Sequence, residues 1–515
     1  MATSLLPLLP QLLLVLFALA VLLYDLGNED RPGLGSLAML GPLAALLGLG
    51  IVAGHPGEYW GRMLKVDSFS LFFQLLTYAG TFLVILLSRD YVERQPIHRG
   101  EFYTLILLAG VGMSVMASSA ELLMIYVGLE LMSLSSYALV GMIKRQDQSI
   151  EAALKYYLMG AVTSAILLFG ISLLFGITGT TYLPDIASAL ALTKDIQGNL
   201  LLIAAVVFVL AGFGFKVSLV PLHMWTPDVY QGAPTPITAF LAVGSKAAAF
   251  AGFIRLLATG LPAAVSLWQP LLALVAVVTM TYGNMTALAQ TNMKRMMGYS
   301  SIAQAGYILT GLVVFTPDSL AATLYYLLAY LFMNIGVFAC LIWVANQQES
   351  EEIAAFRGLG QRAPFYAVSL AIFFLSLVGI PPTGGFMGKF YLFFAAVQSH
   401  YVWLAVVMVI NSVISLAYYY GVVRQMWLEP CLPAAPGAAA GGTSRWSMPA
   451  ARASTSTPPA AASSTPEKAQ SWPEPTKPAS LALGVAVVIS LLLVLLLGLY
   501  PQPFFEWVGK AALLG

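Results

Sequence analysis

The sequence contains few charged residues and almost no cysteine. Only 9% of its 515 residues are Asp, Glu, Lys or Arg, whereas ordinary soluble domains carry about 25%. Its two cysteines, Cys340 and Cys431, cannot supply a CxxC pair or the four thiolates of an iron–sulfur cluster. The net charge of +1 provides no basic surface of the kind that binds nucleic acid. The composition therefore argues against an iron–sulfur protein and against a nucleic-acid partner.

The usual nucleotide and metal motifs are also missing. There is no GxGxxG after a strand, no Walker A loop and no HExxH, so we expect this chain to bind no nicotinamide, flavin, nucleotide or catalytic zinc. The first apolar run, residues 5–24, has no basic flank before it and no small-residue cleavage site after it. These features predict a first transmembrane helix rather than a signal peptide.

Long hydrophobic runs dominate what is present. Hydrophobic residues make up 59% of the chain, and runs of about 20 residues are long enough to cross a hydrocarbon core of ~30 Å. The pattern predicts an all-α, polytopic membrane protein. We predict fourteen spans, at 5–24, 35–54, 68–88, 102–118, 121–142, 151–176, 199–220, 236–257, 266–289, 299–315, 319–346, 365–395, 401–423 and 480–500.

The distribution of basic residues predicts the orientation. An even number of spans places both termini on one side, and cytoplasmic loops collect Lys and Arg. With the termini outside, fifteen Lys and Arg residues fall in the inside loops and five fall outside. The five outer residues are Arg62, Lys65, Lys194, Arg255 and Lys510. We therefore predict that both termini lie on the outer side.

Two sequence echoes predict an internal repeat. "AALKYYL" at 152–158 is similar to "AATLYYL" at 321–327, and "SLVP" at 218–221 is similar to "SLVGIP" at 376–381. Together they align two five-helix units, and because five is odd the second unit must be inverted. Inverted repeats with an interrupted helix in each half are typical of transporters. The predicted breaks lie at Pro221 and at Pro381-Pro382 with Gly384-Gly385.

This repeat divides the chain into five parts. A segment rich in Ala, Pro, Ser, Thr and Gly buries too little apolar surface to fold, so we interpret it as a flexible cytoplasmic linker. The parts are an N-terminal three-helix segment (1–101), a first unit (102–257), a second, inverted unit (266–423), the linker (424–479) and a C-terminal transmembrane helix (480–515).

Several ionisable residues lie inside predicted spans, among them Glu130, Lys216, Lys246 and Lys389, which apolar residues flank on both sides. A charge at the centre of a span costs ~2.5–3.5 kcal/mol on insertion scales, and such residues usually serve a polar pathway. A single structural ion pair between Glu130 and Lys216 is one interpretation, but it leaves the other two lysines without partners. Burial favours the neutral amine and a nearby carboxylate favours the ammonium ion. We therefore favour a proton relay.

Other polar residues near the relay have two interpretations each. His223 and Lys155 are candidates for the place where protons enter, but they could instead be a hydrogen-bonded loop histidine and an interfacial anchor. Ser133 and its neighbouring serines could hold water beside Glu130 or simply pack helices. Asp228 is predicted to cap or pair within the loop after the broken helix.

Three motifs resemble a known family. "GFGFKVSLVPLHMWTPDVYQGAPTPITAFLAVGSKAAAF" (212–250), "QTNMKRMMGYSSIAQAGY" (290–307) and "LSLVGIPPTGGFMGKFYLF" (375–393) resemble the antiporter-like membrane subunits of respiratory complex I. "WTPDVYQGAPTP" and Lys389 are most similar to the N-type branch of that family. The resemblance covers the chain except residues 431–479.

The resemblance implies a role in the membrane arm of a bacterial NADH:quinone oxidoreductase, a translocase embedded in the cell membrane. Electrons would pass from NADH to quinone through FMN and iron–sulfur clusters in other subunits, and this chain would hold no cofactor. Its partners would be the other membrane-arm subunits and the lipid bilayer, in a hetero-oligomer. By the same resemblance, Glu130 tunes Lys216, Lys246 is the central relay residue and Lys389 is the exit-side donor.

Two alternatives share these sequence features. A subunit of a multisubunit sodium–proton antiporter would have the same fold and buried lysines without a redox partner. A structural membrane scaffold would pump nothing and would tolerate replacement of the lysines. Quinone reduction by this chain itself is disfavoured because the cofactor ligands are missing.

Overall fold

A computed structural model describes residues 5–27, 33–193, 195–430 and 480–513. Most of the predicted linker, residues 431–479, lies outside the described residues. The described chain is almost entirely helical. Its one named sheet is a hairpin in which β1 (Gly57–Tyr59) pairs antiparallel with β2 (Leu64–Val66), with Glu58 opposite Lys65.

The first helices pack together ahead of the first predicted unit. A 3₁₀ turn at Leu6–Leu8 leads into α1 (Leu9–Gly27), followed by α2 (Leu34–Val52) and α3 (Ser68–Arg94). Asp67 caps α3 by accepting a hydrogen bond from the Ser70 amide, which satisfies one of the free donors at a helix start. Helix α3 then runs through the bundle and contacts helices of both predicted units.

The first predicted unit contains eight helices in the described chain, two π-helical segments (Leu241–Ser245 and Leu256–Gly260) and a predicted span broken into α8 and α9. The helices are α4 (Arg99–Ser118), α5 (Leu122–Val140), α6 (Asp147–Thr178), α7 (Leu183–Ala191), α8 (Leu200–Lys216), α9 (Trp225–Gly232), α10 (Thr235–Phe240) and α11 (Lys246–Arg255).

The second predicted unit and the C-terminal segment follow after a 3₁₀ turn at Pro262–Ala264, with a further 3₁₀ turn at Ile353–Phe356. The helices are α12 (Val265–Ala287), α13 (Met293–Val314), α14 (Pro317–Gln348), α15 (Leu359–Arg362), α16 (Pro364–Val378), α17 (Gly384–Gln398), α18 (Val402–Leu428), α19 (Leu481–Leu499) and α20 (Gln502–Ala512).

The protein is a multi-pass membrane protein, as the sequence predicts. Within the described residues, eleven helices are long and apolar enough to cross a bilayer, and Leu200–Lys216 and Pro364–Val378 are shorter apolar helices. The total of fourteen spans, the domain boundaries and the inverted repeat stay predictions.

Both predicted helix breaks are confirmed, and they share a local geometry. Helix α8 ends at Lys216 and α9 begins at Trp225, whereas α16 ends at Val378 and α17 begins at Gly384. Each break begins with a residue of positive φ, Ser218 at 67° and Gly379 at 94°. The amide of the following residue then bonds to a carbonyl five residues back. Each break therefore exposes polar backbone groups in the middle of an apolar bundle.

The core lies where the two predicted units meet. Every residue of the segment Thr235–Gly260 except Ala258 and Thr259 is buried, and α14 is buried over most of its length. Helix α14 packs on α3, α10, α13, α16 and α17. A helix without a lipid-facing surface can carry polar side chains, because neighbouring helices supply their hydrogen-bond partners.

A close crossing of α4 and α5 positions the helix that carries Glu130. A Cβ atom added at Gly112 would lie 2.5 Å from the Met132 amide nitrogen, and one added at Gly128 would lie 2.7 Å from the Met116 amide nitrogen. Small residues at such crossings let two backbones touch in a membrane protein. The crossing therefore fixes α5 against α4 within about one residue of Glu130.

Candidate functional site

Lys216 is the last residue of α8, and its side chain is bound by α5. It is only 3% exposed. Its Nζ donates hydrogen bonds to Ser133 Oγ at 2.7 Å and to the Tyr137 hydroxyl at 3.1 Å. The helix break directly after Lys216 leaves this ammonium group at the interrupted end of the span, where a polar environment is available.

Glu130 lies on the same face of α5 as the partners of Lys216. Ser133 and Tyr137 follow it by three and seven residues, a spacing that aligns side chains along one side of a helix. The Glu130 carboxylate accepts a 2.5 Å hydrogen bond from Ser164 on α6 and is close enough to act electrostatically on Lys216. The described residues contain no direct Glu130–Lys216 ion pair; Ser133 and Tyr137 are the direct partners.

Lys246 begins α11 directly after the π-helical segment Leu241–Ser245 and is 1% exposed. Its Nζ donates to the backbone carbonyl of Ser301 at 2.8 Å and to Ser301 Oγ at 2.5 Å. The Ser301 hydroxyl also contacts the hydroxyl groups of Tyr230 at 3.1 Å and Tyr330 at 3.0 Å. Lys246 therefore points into the bundle and not toward lipid.

Lys389 is held at the second helix break. Its Nζ donates to the carbonyls of Leu377 at 2.9 Å and Val378 at 3.0 Å, and to Ser412 Oγ at 3.3 Å. The two carbonyls belong to the last turn of α16, where backbone acceptors have no partner within the helix. Nζ also lies 4.1 Å from the centre of the Tyr307 ring, a cation–π contact.

One face of α13 connects the partners of these two lysines. Ser301, Gln304 and Tyr307 follow one another at intervals of three residues, so their side chains lie along the same side of the helix. The first contacts Lys246 and the last contacts Lys389. The space between the two lysines is therefore lined by polar side chains.

Gln304 contacts the acceptor of Lys389 directly. Its Nε2 donates to the Leu377 carbonyl at 3.1 Å, the same oxygen that accepts from Lys389. Its Oε1 accepts a short hydrogen bond from the Tyr326 hydroxyl, and Tyr330, one turn further along α14, donates to the serine that holds Lys246. Two rows of hydroxyl and amide groups thus face each other between α13 and α14.

Lys155 lies apart from this row in a charged cluster at the bundle surface. Its Nζ is 2.6 Å from Glu151 and 2.8 Å from Asp228, and its side chain is 43% exposed. Asp228 also pairs with Arg295 at 2.6 Å, so the prediction that it caps or pairs within the loop was wrong: it lies in α9 and pairs with residues of two other helices. The cluster joins α6, α9 and α13, which agrees best with an anchoring role for Lys155.

His223 lies in the first helix break and is 4% exposed. Its ring packs edge-on against Tyr282, with centroids 4.5 Å apart, and its Nδ1 has no hydrogen-bond partner in the described chain. No hydrogen bond joins it to Lys216 among the described residues. Its proposed part in proton uptake stays a prediction.

Sequence reasoning did not assign roles to Tyr137, Ser301 and Tyr307, which contact the buried lysines, or to Gln304, which shares an acceptor with Lys389. A signal for them was present. In "SSIAQAGY" the polar residues recur every three positions, and Tyr137 lies two turns after Glu130, so helical spacing places them on the faces that carry the charges.

The described residues contain no group of three or more His, Cys, Asp or Glu side chains placed to hold a metal ion. The polar groups of the site are lysines, hydroxyls, amides and backbone carbonyls, together with one carboxylate. These groups can donate, accept and pass protons.

Comparison with known proteins identifies the family of this chain. Residues 119–415 match the family described as NADH:quinone oxidoreductase/Mrp antiporter, TM. The chain is 45% identical over 445 residues to "NADH-quinone oxidoreductase subunit N 2" of Symbiobacterium thermophilum, covering 82% of this chain and 87% of that protein. It is 39% identical over 523 residues to "F(420)H(2) dehydrogenase subunit N" of Methanosarcina mazei, covering 98% and 97%.

A solved structure supports the same assignment. A chain of respiratory complex I from Thermus thermophilus, determined with bound aureothin, superposes with a TM-score of 0.75 at 31% identity, covering 97% of this chain and 99% of that one. The buried lysines, the two broken helices and these similarities lead to one conclusion: the chain belongs to the NADH:quinone oxidoreductase/Mrp antiporter family of membrane proteins, in its subunit N group.

Proposed function

We propose that this chain carries protons across the membrane as the N-type subunit of an NADH:quinone oxidoreductase. Electrons pass from NADH to quinone through FMN and iron–sulfur clusters in the other subunits, and this chain couples that reaction to proton export. Glu130, Lys216, Lys246 and Lys389 form the relay. The 45% identity to a subunit of that name and the likeness to a complex I chain support the assignment.

The observation that carries the proposal is the polar row from Lys246 to Lys389. Ser301 accepts from Lys246, and Gln304 shares the Leu377 carbonyl with Lys389. Ser301 and Gln304 are separated by about one helical turn, roughly 5 Å, a gap that one water molecule can bridge. Protons therefore need not cross packed apolar side chains between these two lysines.

Aromatic hydroxyls extend this row toward Lys216. Tyr137 accepts from Lys216, and its ring packs edge-on against Tyr156 at 4.6 Å. The Tyr156 hydroxyl interacts with the side chain of Ser245, the neighbour of Lys246. These contacts support the proposal that a path joins Lys216 to Lys246 and Lys389.

We propose that the two predicted units act in series, with both termini on the outer side of the membrane. Protons enter from the cytoplasm through the first unit and leave past Lys389 in the second. The bias of basic residues toward the predicted inside loops supports this orientation.

Replacing Lys246 by arginine tests the relay. Arginine keeps the positive charge and can donate to Ser301, but it does not lose its proton in proteins. In vesicles that contain the assembled complex, we expect Lys246→Arg to lower both NADH-driven acidification and quinone reductase activity, whereas the exposed Lys510→Arg should lower neither. Unchanged pumping in an assembled Lys246→Arg complex would show that Lys246 is not a relay residue.

Purification of the native complex distinguishes the alternatives. The proposal requires that FMN- and iron–sulfur-containing subunits co-purify with this chain and that the preparation oxidises NADH. A preparation that exchanges sodium for protons without redox subunits would instead identify the antiporter. The Methanosarcina mazei relative carries the name of a dehydrogenase for a different donor, so F420H2 is the control substrate.

A further inference from the structure

An open polar cavity of about 770 Å³ lies at the end of the bundle where α10 begins and α14 ends. Asp147, Glu349 and Glu352 on its lining are exposed, so the cavity opens to the surface. The four relay residues do not belong to its lining, and its charged groups have no role in the relay described above. It belongs to the side that the distribution of basic residues predicts to be cytoplasmic.

A buried ion pair forms part of the cavity wall. Lys294, which is 3% exposed, places Nζ 2.9 Å from Glu351 Oε1 and donates to the Ala233 carbonyl at 2.9 Å. Thr235 donates to the same carboxylate oxygen at 2.9 Å. The Glu351 side chain is 27% exposed, against 4% for that of Lys294. The carboxylate therefore faces the cavity, and the ammonium group lies behind it.

This ion pair contacts both of the helices that position Lys246, α13 and α10. Lys294 precedes Ser301 by seven residues on α13, which is two turns or roughly 10 Å. Thr235 is the first residue of α10, the helix that continues through the π-helical segment to Lys246. Helix α13 packs against α9. The hydroxyl group of Tyr230 on α9 contacts the hydroxyl group of Ser301. Hydroxyl groups therefore lie at the Lys246 end of a path from Lys294 to Lys246.

We infer that this cavity is a second place of proton uptake and that Lys294 and Glu351 are its gate. The inference rests on the proposed function, because it supplies protons to Lys246, the central residue of the proposed relay. A proton from cavity water neutralises the Glu351 carboxylate. Lys294, now without a counter-charge, gives its proton to the neutral amine of Lys246 through the hydroxyls of Tyr230 and Ser301 and intervening water. Glu351 then passes its proton to Lys294, so that one proton in total has moved.

Two variants separate a gate from a structural ion pair. Lys294→Arg keeps the pair but cannot release a proton, and Glu351→Gln keeps an acceptor for Thr235 but cannot form a carboxylate. We expect each to lower NADH-driven acidification of vesicles several-fold in the assembled complex, and Glu351→Asp to restore it. Glu352→Gln is the matched control, since this exposed carboxylate lines the same cavity without contacting Lys294, and it should pump normally.

The outcomes distinguish this inference from the proposed function. Full pumping by assembled Lys294→Arg, with impaired pumping by Lys246→Arg, overturns the gate and leaves the relay in place. Full pumping by both variants overturns the proposed function itself. If Lys294→Arg does not assemble, Glu351→Gln decides, and full pumping by that variant overturns the gate. If Glu351→Gln and Glu352→Gln lower vesicle acidification equally, the gate is also overturned. The effect would then depend on the total charge of the cavity and not on the ion pair of Lys294 and Glu351.

Discussion

The three relay lysines share one chemical feature: their direct partners in the described chain are neutral oxygens. Lys216 and Lys246 donate to hydroxyl groups and a backbone carbonyl, and Lys389 donates chiefly to carbonyls. When a buried ion pair loses one charge, the other remains uncompensated at a cost of several kcal/mol. A lysine bound to neutral acceptors can release its proton without leaving a bare carboxylate in contact with it. This arrangement suits proton exchange better than static ion pairing.

The first prediction concerns Lys216→Ala. We expect the complex to assemble, because no carboxylate depends on direct contact with this lysine. Proton pumping and coupled quinone reduction should fall about tenfold or more, which corresponds to about 1.4 kcal/mol or more in the barrier. Lys510→Ala, at an exposed position of α20, is the control. Normal pumping by an assembled Lys216→Ala complex would contradict the prediction.

Asp67 and Arg255 form an ion pair of the opposite, structural kind. The guanidinium group is 2% exposed and donates two 2.9 Å hydrogen bonds to the carboxylate that caps α3. Burial alone would raise the pKa of Asp67, but the charge and hydrogen bonds of Arg255 and a hydrogen bond from the Ser70 amide outweigh it, so the pKa lies below its usual value. A lowered folded-state pKa means that the carboxylate stabilises the fold above the unfolded pKa of about 3.9.

The second prediction is the pH dependence of Asp67→Asn. Near neutral pH we expect it to destabilise the purified complex by about 3 kcal/mol, because it leaves a buried arginine without its counter-charge. The difference in Tm from the wild type should shrink as the pH falls from about 4 toward the lowered pKa of the folded carboxylate, below which the wild-type carboxylate is itself protonated. Arg62→Gln, in an exposed ion pair, should change Tm little at any pH. A pH-independent difference for Asp67→Asn would refute the electrostatic explanation.

At the scale of elements, the α4–α5 crossing gives a third prediction. In Gly112→Ala the new methyl group would have to occupy space 2.5 Å from the Met132 amide nitrogen, so one backbone must shift. We expect a loss of about 1–3 kcal/mol and weaker coupling, since α5 carries Glu130. Gly50→Ala is the matched control in α2, where a Cβ atom meets nothing within 4 Å. Thermal unfolding of both variants measures the difference, and equal Tm values would contradict the close crossing.

Helix α13 gives the fourth prediction, Gln304→Leu. Leucine has a similar size but removes both the donor to the Leu377 carbonyl and the acceptor of Tyr326. We expect an assembled complex with several-fold slower pumping. The control is Gln74→Leu, another buried glutamine, on α3, which bonds to Tyr78 away from the row. If both variants pump equally well, protons do not pass along α13.

The positions of the helix breaks could be predicted from the sequence, but the rotation of each helix about its own axis could not. Pro221 and the Pro381-Pro382 pair disfavour an α-helix, and both predicted interruptions are observed, whereas α2 and α12 continue through Pro42 and Pro270. The side chain of α5 that contacts Lys216 depends on the rotation of α5 about its own axis. In the structure Ser133 and Tyr137 are the direct partners of Lys216, although Glu130 is the charged residue of this face. The ion pair between Asp67 and Arg255 joins residues 188 positions apart, so sequence spacing could not predict it.

For the whole molecule, the fifth prediction tests conduction in series. If protons pass Lys246 and then Lys389, blocking either step stops the same flow. The double variant Lys246→Ala, Lys389→Ala should then pump no worse than the more impaired single variant, a strong departure from additivity. Two independent paths would instead leave partial pumping in each single variant and remove it only in the double. Rates of vesicle acidification in the three variants decide between these cases.

The burial of Lys246 and Arg255 in one helical segment also bears on how the chain assembles while it is being made. A chain is made from its N-terminus, so Asp67 is already present when the ribosome adds Arg255. Ser301, the acceptor of Lys246, is added 55 residues after that lysine. During this interval the Arg255 end of the segment can already be tied to α3, while Lys246 still lacks its partner on α13. The Asp67–Arg255 pair can thus hold the nascent helix in place until the helix that completes the proton path has been translated.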